Sequence, residues 1–377
     1  MPARFLATHL GEPVLSHNPL AQPFEIEGLS LANRVVMAPM TRSFCPGGVP
    51  GQDVADYYRR RAEGGVGLII TEGTYTGHEA SGDSTHVPRM SGEAAVAGWK
   101  RVVEGVHAAG GKIASQLWNI GLRNPARLNL DPNVKLIGPS GIAGDGTLLS
   151  EPMSDATIAS VIEHYGLAAA NAKAAGFDAV ELHAGHGYLI DQFFWDVTNR
   201  REDQYGGDYL ARTRFASEVI AAVRRGVGPG FPISFRFSQW KIGNYGARLA
   251  PTPQDLERFL ERLVLAGADI FHCSTRRYWE PEFDGSDMNL AGWAKKVSGK
   301  PTITVGSVGL STEFTDREGV GKHTSLERLE EMLARGDFDL VAVGRALLAD
   351  PNWFQKIQAN DLANLVPFHI DLQQKLY

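Results

Sequence analysis

Short runs rich in Val and Ile recur along the chain and alternate with segments of helical periodicity. Eight such runs are present: Arg34–Met40, Val66–Thr74, Lys112–Trp118, Asp178–Gly185, Pro232–Gln239, Asp269–Thr275, Thr302–Val308 and Leu340–Leu347. Near-continuous apolar runs are typical of parallel strands that are covered on both faces. The shorter intervals between their starts, such as the 32 residues from position 34 to position 66, match one strand plus its crossover helix.

The segments between the runs predict helices with one apolar face. A clear stripe at the helical period precedes the sixth run and consists of Leu256, Phe259, Leu260, Leu263 and Val264. Thr252 is placed to cap the start of this helix. Thr324 and Glu327 make a similar capping pair before a helix predicted over Leu326–Ala334.

Eight strands alternating with helices favour an α/β fold, a closed (β/α)₈ TIM barrel that forms one domain over residues 1–377. An open doubly wound sheet remains the alternative, because periodicity does not show closure. Alternation around Gly28 in Phe24–Leu31 predicts an N-terminal hairpin at the barrel floor. The long segment Asn119–Thr157 predicts an excursion over the barrel mouth after the third strand.

Composition and charge narrow the classes of function. Apolar residues make up 43% of the chain and charged residues 21%, which is typical of a globular protein. Because 37 Lys and Arg face 43 Asp and Glu, there is no basic field for nucleic acid or an anionic membrane. The N-terminus lacks a signal-peptide core, and no apolar run reaches the roughly 18 residues of a membrane span, so we expect a cytoplasmic protein.

Two cysteines, Cys45 and Cys273, are too few for a disulfide framework, a four-thiolate zinc site or a cysteine-ligated iron–sulfur cluster. Any redox chemistry therefore requires another cofactor. No Rossmann, Walker, nucleophile-elbow or H-E-x-x-H motif is present either. Candidate chemistry has to come from the strand ends, where barrels of this type place their active sites.

The fourth strand is followed by two imidazoles and a phenol, His183, His186 and Tyr188. The imidazoles can donate hydrogen bonds to an oxygen that gains negative charge, and the phenol can give up a proton. The same pattern allows two packed histidines or part of a metal site. No third ligand at a fixed spacing accompanies them, so we predict no metal.

Two further groups of polar residues lie in or after strands. Gly306 and Ser307 end the seventh strand, and Gly344 and Arg345 end the eighth, which is where such barrels often bind phosphate. Ordinary turn glycines are the alternative. Gln116 and Arg236 interrupt the apolar third and fifth strands, and each needs either a polar cofactor or a buried partner such as Glu181.

Together these residues resemble the old yellow enzyme family of FMN-dependent ene-reductases. The landmarks occur in one order over nearly the whole chain: Asn33–Arg42, Thr71–Thr74, Gln116–Trp118, His183–Tyr188 with Asp191–Phe193, Asn199–Gly207, and Gly344-Arg345.

The resemblance implies FMN at the carboxyl mouth of the barrel and NADPH or NADH as the reductant. The implied cofactor-binding residues are Pro39, Met40, Thr41, Gly73, Gln116, Arg236, Gly306, Ser307, Gly344 and Arg345. The nicotinamide would reduce FMN, leave, and be replaced in the same pocket by an enone or enal. His183 and His186 would then polarise its carbonyl while flavin N5 delivers hydride to the β-carbon, and Tyr188 would protonate the α-carbon.

Some positions depart from the family pattern and concern the substrate rather than the flavin. Trp195-Asp196 stands where a Ser-Pro pair is usual, and Trp195 either narrows the pocket or packs beneath a loop. Arg276 and Arg277 follow the sixth strand, where they could meet a nicotinamide phosphate or an acidic substrate, or pair with Glu282. The competing functions are a related FMN barrel reductase with another substrate and a flavin-binding module without turnover.

Overall fold

The structure, a computed structural model, describes residues 18–123, 134–313 and 319–377. The strands are β1 Phe24–Ile26, β2 Leu29–Leu31, β3 Val35–Met37, β4 Leu68–Ile70, β5 Thr74–Tyr75, β6 Lys112–Trp118, β7 Ala179–His183, β8 Ile233–Phe237, β9 Ile270–Ser274, β10 Thr302–Val305 and β11 Leu340–Val343. The helices are α1 Gln52–Glu63, α2 Glu93–Ala108, α3 Asp155–Ala174, α4 Leu189–Phe194, α5 Arg214–Val227, α6 Pro253–Ala266, α7 Leu290–Ser298, α8 Glu327–Arg335, α9 Arg345–Ala349 and α10 Trp353–Gln358.

The parallel strands close into a barrel in the order β3-β4-β6-β7-β8-β9-β10-β11. The ring is completed where β11 pairs with β3, with Val341 opposite Val35. The strands are buried on both faces, which explains why their sequences show continuous apolar runs. The prediction of a (β/α)₈ barrel is therefore confirmed, and the open sheet is excluded.

The N-terminal hairpin β1-β2 closes the barrel floor, as expected. Phe24, Leu29 and Leu31 belong to the same buried cluster as residues inside the barrel, among them Ile270 and Leu340 near the starts of their strands. Gly28 forms the turn with a φ of +81°, where its missing side chain lets the backbone approach the loop before β8.

Two predicted strands differ from the strands in the structure. The predicted strand Val66–Thr74 is two strands, β4 and β5, separated by the bend at residues 71–73. The predicted strand Leu340–Leu347 ends at Val343, because the chain turns at Gly344 into helix α9. In both cases the apolar run continues past the strand because the residues after it are also buried.

One capping prediction is confirmed and one is wrong. The Thr252 hydroxyl accepts a hydrogen bond from the Asp255 N–H at 3.1 Å, at the start of α6. The predicted Thr324 cap does not form; instead the Ser325 hydroxyl accepts from the Glu327 N–H at 3.2 Å. Helix α8 therefore begins one residue later than expected.

The excursion after the third barrel strand lies partly outside the described residues, at 124–133. Across the described ranges, no helix combines the length and apolar character needed to cross a bilayer. The prediction of a single domain over 1–377 includes residues that the structure does not describe and stays a prediction.

Candidate active site

A cavity of about 300 Å³ opens at the carboxyl ends of the barrel strands. Its volume is at the lower end of the range for small-molecule sites. Twelve of the predicted site residues line it: Pro39, Met40, Thr41, Gln116, His183, His186, Tyr188, Arg236, Gly306, Ser307, Gly344 and Arg345. Gly73 does not; it lies in the bend between β4 and β5, against the Trp118 ring.

The two imidazoles meet because of an unusual turn after β7. His186 has a φ of +64°, a conformation that residues other than glycine seldom adopt. Its N–H donates to the Ser238 hydroxyl at 2.9 Å, which anchors the turn to the end of β8. The turn brings His183 Nε2 to 3.0 Å from His186 Nδ1.

Aromatic neighbours fix the rings of this group. Tyr188 packs on His183 with ring centroids 4.7 Å apart and meets Trp118 edge-on at 5.0 Å. Trp240 covers His186 at 4.5 Å. The two imidazoles and the phenol therefore form one packed group on the cavity wall.

Both imidazoles are held neutral by their surroundings. Burial, reinforced by the charge of Arg236, lowers the pKa of His183 to about 3. Burial and the Arg236 charge also lower the pKa of His186 well below its usual range. Burial raises the pKa of Tyr188, although Arg123 and Arg236 oppose that rise. At neutral pH the group therefore offers imidazole and phenol N–H and O–H donors without a net charge.

Gln116 and Arg236 enter the cavity from β6 and β8. Gln116 hydrogen-bonds to the buried Glu181, whereas Arg236 does not. The Gln116 amide donates to Glu181 at 2.8 Å. Burial opposes the ionisation of Glu181, but His272 and Arg236 outweigh it and hold its pKa at about 2. Since a carboxylate only accepts hydrogen bonds, the amide NH₂ of Gln116 must face it.

Arg236 does not form the direct ion pair with Glu181 that was the structural alternative. Its guanidinium reaches the Ser274 hydroxyl at 3.4 Å, and its buried Nε has no hydrogen-bond partner among the described residues. A buried donor left open in this way is costly unless a ligand satisfies it. Arg236 is thus suited to an anionic or carbonyl-rich ligand in the cavity.

The opposite side of the cavity is built from the ends of β10 and β11. Gly306 has a φ of +144°, and a side chain there would collide with the Thr275 carbonyl. Ser307 has a φ of +49°, and its single hydroxyl proton is shared between the carbonyls of Arg276 and Thr312, each 3.2 Å away. Arg345 is anchored by the Glu313 carbonyl at 2.7 Å. Close backbone approach beside a guanidinium is the chemistry that binds a phosphate.

These two sides fit the group that the resemblance implies. FMN combines a phosphate with a ring whose pyrimidine edge carries carbonyl oxygens, and the cavity offers glycines with Arg345 at one side and the open donor of Arg236 at the other. The described residues contain no cluster of three His, Cys, Asp or Glu that could hold a metal ion.

The unusual loop arginines are paired with acids. Arg276 lines the cavity and pairs with Glu313, while Arg277 pairs with Glu280 and Glu313. The predicted pairing of these arginines with Glu282 was wrong, because the Glu282 carboxylate pairs with Arg248.

Trp195 lies against Gly144 of the excursion and does not line the main cavity. Of the two roles considered for it, packing beneath a loop is the one that the structure supports.

Several cavity residues were not identified from the sequence. Ser274 hydrogen-bonds to His186 Nε2 at 2.8 Å and is the last residue of β9. Trp118, the last residue of β6, and Trp240, after β8, flank the imidazoles. Their position at or just after the carboxyl ends of strands could have identified them, because the carboxyl ends of all the barrel strands face the same mouth.

Comparisons with known proteins identify the family of this chain. The sequence profile of the NADH:flavin oxidoreductase / NADH oxidase family matches residues 19–364. An NADH oxidase from Thermoanaerobacter brockii is 35% identical over 342 residues, which cover 88% of this chain and 49% of that protein. The chain thus spans about half the length of that relative.

Two further proteins match along most of both chains. 12-Oxophytodienoate reductase 7 of Oryza sativa subsp. japonica is 30% identical over 375 residues, covering 91% of this chain and 88% of the relative. The structure of morphinone reductase in complex with tetrahydroNAD superimposes with a TM-score of 0.74 at 30% identity, over 90% of each chain. The resemblance to old yellow enzymes is confirmed, and this chain belongs to the NADH:flavin oxidoreductase / NADH oxidase family.

Proposed function

We propose that the protein is an FMN-dependent oxidoreductase that reduces the activated C=C bond of α,β-unsaturated carbonyl compounds with hydride from NADPH or NADH. The observation that carries this proposal is the packed group of His183, His186 and Tyr188 on the cavity wall, beside Arg236 with its open Nε donor on the neighbouring strand. Family membership supplies the cofactor class. The substrate is a small-molecule enone or enal.

In this proposal the chain holds FMN from both sides of the cavity. Gly306, Ser307, Gly344 and Arg345 would bind the phosphate, Pro39, Met40 and Thr41 would lie along the ring, and Gln116 and Arg236 would bind its pyrimidine edge. All nine of these residues line the cavity. Gly73 lies outside the cavity lining, and its contact with FMN stays a prediction from the resemblance. FMN bound there would supply the hydride-transfer chemistry that links the nicotinamide to the β-carbon of the substrate.

The two imidazoles bind the carbonyl oxygen of the substrate. His183 Nε2 and His186 Nδ1 are 3.0 Å apart and share one hydrogen bond, so the substrate oxygen has to take the place of that contact before it accepts from both rings. The Ser274 hydroxyl, 2.8 Å from His186 Nε2, can donate to that nitrogen and so leave the proton on Nδ1. Both donors therefore stabilise the negative charge that develops on the oxygen.

Tyr188 supplies the proton to the α-carbon. Its raised pKa keeps the phenol protonated at neutral pH, and its packing against His183 and Trp118 fixes the ring beside the carbonyl site. General acid catalysis of this kind typically contributes about 10²–10⁴-fold in rate.

A cytoplasmic location belongs to the proposal, because the reductant NAD(P)H is produced there and both cysteines are free thiols. The lack of a nucleic-acid partner remains a prediction from the net charge. Cell fractionation followed by immunoblotting checks the location.

The test is spectroscopic. Purified protein is expected to be yellow, to release FMN on heating, to bleach anaerobically with NADPH or NADH, and to recolour when 2-cyclohexenone is added. Protein that binds FMN but does not recolour with a panel of enones and enals is a flavin-binding module. Colourless protein that fails to take up added FMN contradicts the proposal altogether.

A further inference from the structure

A buried ion pair lies directly behind the turn that carries the two imidazoles and the phenol. Lys241, in the loop after β8, donates from Nζ to Asp191 Oδ1 at 2.6 Å, and their side chains are 2% and 0% exposed. Burying both charges forfeits their hydration, and an apolar pair of the same volume is often as stable. Stability alone is therefore a weak reason for these two residues to be charged.

The pair touches the turn on two sides. The second carboxylate oxygen of Asp191 accepts from the Gly187 N–H at 2.7 Å, and Gly187 lies between His186 and Tyr188. The backbone of Lys241 forms a β-bridge with His186, and the Ile242 N–H donates to the His186 carbonyl at 3.3 Å. One ion pair thus holds the turn through a side chain and through a backbone.

This turn needs external support. The positive φ of His186 places a residue other than glycine in the left-handed region, which persists only when the surroundings impose it. Gln192, from the same helix as Asp191, donates to the Gly187 carbonyl at 2.9 Å. Both polar groups of the Gly187 backbone are therefore fixed from α4, and Lys241 fixes the carboxylate that holds one of them.

We propose that Lys241 and Asp191 are positioning residues, whose ion pair clamps the Gly187 N–H and thereby aims His186 and Tyr188 into the cavity. This inference rests on the proposed function, in which those side chains act on the substrate. The Asp191 carboxylate provides the hydrogen-bond acceptor for the Gly187 N–H. The Lys241 ammonium favours the ionised form of this buried carboxylate and fixes its position.

Two double variants separate the acceptor from the charge. Lys241→Met/Asp191→Asn and Lys241→Met/Asp191→Leu both remove the ion pair with side chains of similar size, but only Asn keeps an oxygen for the Gly187 N–H. Reduction of 2-cyclohexenone by the FMN-loaded proteins is measured as kcat per bound flavin. Because small displacements of catalytic groups cost up to about 100-fold, we expect the Leu double variant to lose at least about tenfold and the Asn double variant at most about threefold.

A second readout does not depend on catalysis. Hydrogen exchange of the peptide that contains residues 186–188 is followed by mass spectrometry in the same proteins. We expect faster exchange in the Leu double variant than in the wild type, and near wild-type protection in the Asn double variant. If the two double variants have equal exchange and equal kcat per flavin, the inference is overturned.

A matched control comes from the other end of the barrel. Lys295 donates to Asp339 Oδ1 at 2.9 Å, and Asp339 Oδ2 accepts from the Thr302 N–H at 3.0 Å, so this carboxylate also joins an ammonium to a backbone N–H. Lys241→Met should lower kcat per flavin, whereas Lys295→Met should leave it unchanged. Equal kcat losses contradict a positioning role for Lys241.

The two proposals fail in different ways. If the wild-type protein reduces no enone or enal, the proposed function is wrong, while the exchange measurement still decides whether the ion pair holds the turn. If the wild type turns over and both double variants match it in kcat and exchange, only the positioning role is wrong.

Discussion

The two ends of the barrel use the same kinds of polar side chain in opposite ways. At the amino end an aspartate precedes each of three strands, and its carboxylate accepts from a backbone N–H at the start of the neighbouring strand while pairing with a cation. The three sets are Asp178 with Ile113 N and Lys112, Asp269 with Ile233 N and Arg224, and Asp339 with Thr302 N and Lys295. Every member of these sets has its partner within the protein.

At the carboxyl end, buried donors and acceptors are left open. Arg236 Nε and His183 Nδ1 are buried and have no hydrogen-bond partner among the described residues, although both belong to side chains that line the cavity. A satisfied polar group adds modestly to stability, whereas an open one reduces stability until a ligand completes it. The comparison predicts that variants at the amino end change stability alone, and variants at the carboxyl end change binding and rate.

The largest effect is expected from Tyr188→Phe at the carboxyl end. Loss of the acidic proton should slow the alkene half-reaction by about 10²–10⁴-fold. Flavin reduction by the nicotinamide should stay nearly intact, because hydride transfer to the flavin needs no proton from Tyr188. Stopped-flow absorbance resolves the two half-reactions, and equal slowing of both contradicts the assigned role.

The next effect concerns Arg236→Met. Because a hydrogen bond from a charged donor contributes about 1.5–3 kcal/mol, FMN affinity should fall about 10- to 100-fold. The flavin-free variant should nevertheless melt at a higher temperature than the flavin-free wild type, since a buried charged group with an open Nε donor has been removed. Quenching of FMN fluorescence on titration with apoprotein gives the affinity, and calorimetry gives the melting temperature. A less stable apoprotein means that Arg236 is a structural residue, like those at the amino end.

A smaller effect is expected from Asp339→Leu at the amino end. The Thr302 N–H and the half-buried Lys295 lose their acceptor, so the free energy of unfolding should fall by about 1–2 kcal/mol. FMN affinity and kcat should be unchanged. Urea unfolding together with the same FMN titration checks both, and altered FMN binding shows that the two ends are coupled.

The sequence predicts the carboxyl end better than the amino end. Strand runs and family landmarks identify the cavity residues, because a site residue stands out as a polar position in or after an apolar run. The aspartates at the amino end give no such signal: each simply precedes a strand, and its partner lies 36 to 66 residues away.

Local bends are the other limit of the sequence prediction. Apolar residues continue past Ile70 and past Val343, so the break between β4 and β5 and the start of α9 are hidden in the pattern. These bends place Gly73 outside the cavity lining and Arg345 on it. The ion pair of Lys241 and Asp191 could not be predicted from the sequence either, because the two residues are 50 positions apart.

The smallest expected change is in the pH dependence of the alkene half-reaction. Burial and the Arg236 charge lower the pKa of His183 to about 3 and the pKa of His186 well below its usual range, so both imidazoles stay neutral as the pH falls from 8 to 5.5. The pKa of Tyr188 is raised, so the phenol keeps its proton throughout this range. The rate at which pre-reduced enzyme is reoxidised by 2-cyclohexenone should therefore vary by no more than about twofold between pH 5.5 and 8. An ionisation near pH 6.5 in that profile means that an imidazole is solvated like a surface histidine. That result contradicts the conclusion that the imidazoles at the carboxyl end are buried from water.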